Sequence, residues 1–389
     1  MSNPQTFYTV GGVDLSNIFQ PLSLGTPSTT VTSYKIPGGA DLNTIFASLN
    51  GGTPISYNTG YTVNGNDLTN IFAANPPLYK YITWTPLVNS TGNWRSVSIS
   101  NSGQYAIICN NGGDILFSNN IGQTWIGTGT GNAKWVSVSL SYSGQKSVAC
   151  IGSTNGSGGK IYYASSFSST FGPIFTLSPT QPFSPDGWRS VAISGSGQYA
   201  VACMYSGGGE IAYSANNGMT WTLSANTVSN FNGWYSVSMS ETGQYAVACM
   251  YDGGIWYSNN YGVTWYESNA NYTGWTSVSM SGSGKYAIAG CQSTPEKIFY
   301  SNDYGNTWYE SNSSQGSWES ISISSSGQYA VASTSGSGGK IYYSNNYGEK
   351  WSLSNSNSGD WSAIAVSGSG QHAIGGIYGG DIYNCTPTI

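Results

Sequence analysis

The chain is short of charge. Only 7% of its 389 residues are Asp, Glu, Lys or Arg, against roughly 25% in ordinary globular proteins. It has two arginines, Arg95 and Arg189, and a single histidine, His372. Nucleic-acid binding needs clustered Lys and Arg to displace counterions, and a chain of net charge -5 has no such cluster. A lone histidine that stands where sister segments carry Tyr245 or Tyr286 gives no basis for a zinc site or for Ser-His catalysis. No apolar run approaches the roughly 18 residues of a membrane-spanning helix. The opening MSNPQTFYTVGG lacks the basic and apolar regions of a signal peptide, and the Gly that myristoylation needs after Met.

What the chain has is Gly, Tyr and Trp, at 53, 30 and 14 residues, in a text crowded with Ser and Asn. Low charge alone suits a disordered polymer. The 14% aromatic content points to a packed core instead, because each buried ring removes a large apolar area from water. Tight-turn residues between short apolar runs indicate an all-β fold.

Residues 82–389 are repetitive. Trp recurs at 94, 135, 188, 234, 275, 318 and 361. A representative unit reads GWYSVSMSETGQYAVACMYDGGIWYSNNYGVTWYES, from Gly233 to Ser268. Its SVSMS and QYAVAC segments alternate with period two, as strands do, and four strands fit into each unit. Bulky side chains occupy one strand face and Ser or Ala the other, which suits sheets stacked about 10 Å apart. Radially stacked four-stranded sheets make a β-propeller. The last copy ends near Cys385 without a fourth strand, while Trp84 precedes Trp94 by the ten residues that also separate Trp265 from Trp275. The spacing predicts seven blades, with the segment 82–88 supplying the last strand of blade seven. Cys109, Cys150, Cys203 and Cys249 each follow a repeat Trp by fifteen residues, so they occupy one equivalent buried place and are expected to be free thiols.

Residues 1–78 form a separate region with another repeat. YTVGGVDLSNIF, YKIPGGADLNTIF and YTVNGNDLTNIF share an extended piece, a Gly turn and Asp-Leu-x-x-Ile-Phe. Asp14, Asp41 and Asp67 are expected to cap single helical turns whose Leu, Ile and Phe (Phe19, Phe46, Phe72) share one face. So short a turn needs an external surface to dock on, and the region is expected to act as an anchor, on its neighbours or on a partner. The propeller domain then spans 79–389.

The segment Ser301–Trp308 has the form Ser-x-Asp-x-Gly-x-Thr-Trp. The acidic position is filled by Asn120, Asn216, Asn260, Asp303 and Asn346 in successive copies. Asn caps a turn as well as Asp but cannot serve as a carboxylic acid, so these positions read as structural turns. The loops between second and third strands offer Tyr205, Tyr251, Tyr378, Asp252 and Asp381 as ligand-binding candidates, beside Asp114, Glu210 and Glu296; the equivalent place in two blades is Lys160 and Lys340. Exposed rings beside hydroxyls and amides can stack on sugars or proteins.

On these motifs residues 82–389 resemble the Asp-box, or BNR-repeat, propellers, a superfamily that includes sialidases, sortilin-type receptors and photosystem assembly factors. A sialidase would need three arginines, and this chain has two. The N-terminal repeats resemble proteins of giant DNA viruses. That resemblance implies a non-enzymatic structural or attachment protein of the virion, assembled in the host cytoplasm. Its N-terminal repeats would hold other capsid proteins and its propeller would meet a host glycan or receptor. The alternatives are a cellular carbohydrate- or protein-binding propeller, cytoplasmic or extracellular, and a divergent glycoside hydrolase. No cofactor, metal or membrane span is expected.

Overall fold

The computed structural model describes residues 83–87, 90–152, 158–168, 172–182, 187–205, 209–227, 233–270, 272–293 and 297–385, with the backbone of four short strands near the N-terminus. The chain divides into two compact units, Met1–Pro77 and Leu78–Ile389.

In the first unit Thr9–Val10 pairs with Val13–Asp14, and Thr62–Val63 pairs with Asn66–Asp67, both antiparallel. The residues between the paired strands are Gly11-Gly12 and Asn64-Gly65, sequences suited to two-residue hairpin turns. Asp14 and Asp67 therefore end short ladders. The helical turns expected after them, with Phe19, Asp41, Phe46 and Phe72, lie outside the described residues.

In the second unit every described regular element is a strand. Blade four shows the plan. Trp234–Met239, Ala246–Met250, Ile255–Ser258 and Tyr266–Glu267 run antiparallel in that order. Its second strand, AVACM, is buried along its whole length because a neighbouring blade covers each face. The other inner strands are Gly92–Ile99, Ala133–Leu140, Trp188–Ile193, Trp275–Met280, Trp318–Ile323 and Trp361–Val366. Each begins at or contains a repeat Trp that is at most 2% exposed. In the last sheet the fourth strand is Trp84–Pro86, with Cys385 opposite Trp84. The six cysteines are buried thiols outside any disulfide. Burial pushes the Cys109 and Cys203 thiols up to about 12, as inert core groups.

The serines of the inner strands do more than fill a small face. An inner strand has one edge without a partner in its own sheet, and buried N–H groups left there would cost about 1–3 kcal/mol each. Ser96 and Ser98 Oγ accept from the Val138 and Leu140 N–H groups of the next blade, at 3.2 and 3.0 Å. Ser277 and Ser279 do the same for Ile321 and Ile323, and Ser320 and Ser322 for Ile364 and Val366. Between blades seven and one, where Ala363 and Ala365 replace serines, Ser362 Oγ instead donates to the Trp94 carbonyl at 2.6 Å.

The first hairpin turns are joined by backbone hydrogen bonds. Asn101 N–H donates to Tyr142, Tyr142 to Gly195, Ser196 to Glu241, Glu241 to Gly282, Gly282 to Ser325, Ser325 to Gly368, and Ser369 back to Asn101. Beside this belt, the turn glycine of one blade lies on a ring of the preceding blade. A Cβ on Gly284 would fall 2.7 Å from Tyr245, and Gly103 lies against His372 in the same way. His372 thus takes the tyrosine's packing place, and burial lowers its pKa.

The Asp-box is a local turn. Ser301 Oγ donates to Asp303 Oδ1 and accepts the Gly305 N–H, Asp303 Oδ1 accepts the Thr307 N–H at 2.8 Å, and Trp308 Nε1 donates to the Gly305 carbonyl. Asn120, Asn216, Asn260 and Asn346 accept the corresponding N–H groups. Two successive residues are left-handed, Tyr304 at φ 66° and Gly305 at φ 86°. A tyrosine pays for this conformation in steric strain. Tyr304 compensates by stacking on Tyr245 of the preceding blade at 4.3 Å, and Tyr261 and Tyr347 stack likewise on Tyr199 and Tyr286.

Candidate functional site

The seven inner strands surround a cavity of about 260 Å³. Along most of its length the wall repeats, with Ser alternating with Val, Ile, Met or Ala. Two levels depart from that repeat. The first is the residue after each blade tryptophan: Arg95, Val136, Arg189, Tyr235, Thr276, Glu319 and Ser362. The second is the turn level at the opposite ends of the strands: Asn101, Tyr142, Gly195, Glu241, Gly282, Ser325 and Gly368.

At the turn level Tyr142 crosses from blade two to the far side. Its hydroxyl lies near Ser325 of blade six, and burial pushes its pKa up to about 12. A Cβ on Gly282 would fall 2.9 Å from that hydroxyl, and one on Gly195 would fall 2.8 Å from the Tyr142 ring. Neither glycine has a left-handed φ, so both are small for want of space. Tyr142 forms a floor.

At the other level the cavity carries charge. The Arg189 guanidinium lies 3.9 Å from the centre of the Tyr235 ring, and Arg95 lies 4.9 Å from that of Tyr378. Such stacking holds a guanidinium in place while leaving its N–H groups free to bind an anion. Glu319, on blade six, accepts from Gln292 Nε2 at 2.6 Å. Burial raises its pKa, and the fields of Arg189 and Arg95 oppose that rise. Tyr235 is also raised by burial, with Arg189 opposing. Neither arginine is within ion-pair distance of a described carboxylate.

The rim residues expected from the sequence sit around this level to different degrees. Tyr205 and Tyr251 pack against Tyr235, with ring centres at 5.9 and 5.6 Å, so they join Arg189 in one aromatic cluster. Tyr378 is 39% exposed and carries Arg95 on its face. Asp381 accepts from Thr91 Oγ1 at 3.0 Å, and Asp252 is exposed on its loop. Asp114 is taken up by the Ile115 and Gly129 N–H groups and the Thr130 hydroxyl. Glu296 lies outside the described residues. Among the described residues no three His, Cys, Asp or Glu side chains are grouped to hold a metal ion.

No protein-family model matches the chain, and no curated protein sequence does. Solved structures do match. A GH74 enzyme of Niastella koreensis superposes with a TM-score of 0.59 at 17% identity, over 78% of this chain and 53% of that one. YCF48 from Cyanidioschyzon merolae gives a TM-score of 0.57 at 15% identity, over 79% of this chain and 99% of that one. YCF48 bound to D1 peptide gives 0.55 at 15% identity, over 81% and 97% of the two chains. The chain spans about half the length of the GH74 chains it matches. At these identities the likeness establishes the repeated-sheet propeller fold and nothing finer. The giant-virus resemblance of the N-terminal repeats finds no support among these structures.

Arg95 and Arg189 each follow a repeat Trp directly, as Glu319 and Tyr235 do, and the structure joins the four around one cavity. The signal was present. In the W-x-S-[VI] motif the x position alone combines Arg, Glu and Tyr among otherwise small residues. A repeat maintained for packing has no need of charge on the wall of its central cavity.

Proposed function

We propose that this is a non-enzymatic binding propeller that takes a carboxylate-bearing segment of a partner protein at the arginine level of its channel. One observation carries the reading: both arginines of a chain with only two line the same cavity, each seated on a tyrosine ring. Guanidinium groups bind carboxylates through paired, charge-assisted hydrogen bonds. The tyrosine rim adds rigid contact area at low entropic cost. That a YCF48 propeller has been solved with D1 peptide bound supports a protein segment as the class of ligand. Glycoside cleavage needs two carboxyl groups about one bond, and the described cavity wall carries one, Glu319. A virion setting rests on the N-terminal repeat resemblance alone and plays no part in this reading.

The test is peptide display against the full-length protein. Sequences with free carboxylates should be enriched, and their binding should fall at least tenfold, about 1.4 kcal/mol, in the R95A/R189A variant. That variant should melt as the wild type does. A glycan-array signal that is indifferent to both arginines would move the site to the tyrosine rim and the ligand to sugars. Turnover of fluorogenic glycosides would refute the non-enzymatic reading.

A further inference from the structure

The cavity contains both signs of charge, held apart. Glu319 stands on blade six, whereas Arg189 stands on blade three and Arg95 on blade one, so cavity space separates the carboxylate from the guanidiniums. They are close enough to shift Glu319, yet no ion pair joins them. Glu319 is oriented by Gln292 and Arg189 by Tyr235, so each charge is positioned by a neighbour and not by its opposite. Opposite charges on a common wall without an ion pair between them give the wall a dipolar character. An anion alone would satisfy the arginines and be repelled by Glu319. A cation alone would meet the reverse.

Extent is limited as well. Tyr142 lies across the turn end of the cavity, beside Gly195, Gly282 and Ser325, and narrows it there. At about 260 Å³ the space lies just below the ~300–1,000 Å³ of ordinary ligand pockets. A compact unit fits and a threaded strand does not.

Building on the binding role above, we infer that the channel is a subsite for one compact zwitterionic unit, with its carboxylate between Arg95 and Arg189 and its cationic nitrogen at Glu319. Two sources supply that chemistry: a free amino acid-like molecule, or the last residue of a chain that ends in a basic side chain and a free carboxylate. Capture of a terminal carboxylate is an established mode of peptide recognition.

Calorimetry on the full-length protein tests this with ε-aminocaproate, glutarate and cadaverine, which share a chain type and differ in end charges. ε-Aminocaproate should bind at least about tenfold more tightly than either of the others. E319Q should reverse the order in favour of glutarate, while R189Q should weaken ε-aminocaproate and spare cadaverine. Both substitutions are near-isosteric or shortening, and a thermal melt of each confirms folding. Acetyl-Gly-Gly-Lys as free acid and as amide separates the sources. Tighter binding of the free acid than of ε-aminocaproate identifies a chain end; binding of ε-aminocaproate without the peptide identifies a free small molecule. Glutarate binding as well as ε-aminocaproate in the wild type, or no binding by any probe, overturns the inference. In that event arginine-dependent peptides from the display experiment would leave the binding role standing, and their absence would remove both.

Discussion

The two ends of the inner strands are built from the same repeat and vary in opposite ways. At the turn end the sequence of seven positions is Asn, Tyr, Gly, Glu, Gly, Ser and Gly; the differences are mainly in size, and the one charge, Glu241, is exposed to solvent. Tyr142 fills the space that Gly195 and Gly282 leave, so variation there is compensated within the molecule. At the other end the seven are Arg, Val, Arg, Tyr, Thr, Glu and Ser, and the differences are in charge. Nothing in the described chain neutralises Arg95 or Arg189 by direct pairing. Departures from a repeat therefore fall into two kinds. Those answered by a neighbour serve the fold, and those left unanswered across a cavity are the ones on which the proposed binding role rests.

The comparison breaks most readily at the floor. Gly282→Leu should destabilise the protein by about 1–3 kcal/mol, because the new side chain must displace the Ser325 hydroxyl, the group nearest the added Cβ, together with the Tyr142 hydroxyl and the Ser325 backbone at 2.9 and 3.1 Å. If the floor is size-compensated, Tyr142→Ser in the same chain should restore part of the loss, with the Ser325 contact remaining. Chemical denaturation of the single and double variants measures this, and purely additive losses would mean that the two positions do not share one space.

At the mouth a charge-removing change should have the opposite sign. Burial raises the folded-state pKa of Glu319 above its ordinary value of 4.5. Between those two values the native state holds more protons than the unfolded state, so stability declines as pH rises through the window. Glu319→Gln keeps an acceptor for Gln292 and cannot ionise. The variant should therefore melt above the wild type near neutral pH, with a gap that narrows as pH falls towards 4.5. A gap independent of pH would show that Glu319 is not held for its charge. Gaining stability by losing a charge is expected where a group is kept for binding at some cost to folding.

Much of the architecture was legible. Repeat spacing located the seven inner-strand tryptophans, and the ten-residue step from Trp84 to Trp94 anticipated the pairing of Trp84 with Cys385. The equivalent cysteines were read as buried free thiols, as the structure has them. The hydrogen bonds that Ser277 and Ser279 accept from blade six were not legible, since period-two alternation tells which face a serine occupies but not which N–H it meets. Tyr142, Glu319 and Tyr235 were missed for a related reason. A repeat is recognised by what its copies share, and these residues act where the copies differ. The N-terminal motifs present the converse case, with clear repetition whose expected helical turns fall outside the described residues.

The smallest effect tests whether the comparison extends to the Asp-box, where one copy also departs from its sisters in charge. Asp303 is the lone acid at a position otherwise held by Asn, so charge alone would class it with Glu319. Its bonds class it with the floor. Oδ1 accepts from Ser301 and from the Thr307 N–H, the same bonds that Asn120 makes through its own Oδ1 to Ser118 and Thr124. Asp303→Asn should then change stability by no more than about 0.5 kcal/mol and leave binding at the channel untouched. Asp303→Ala, which strips the turn of its acceptor, should cost about 1 kcal/mol. Equal losses in the Asn and Ala variants, read from denaturation midpoints, would mean that the negative charge matters at this turn. A departure in charge would then have a structural use, and the rule drawn from the channel would need a second condition: the charge must face a cavity as well as lack a partner.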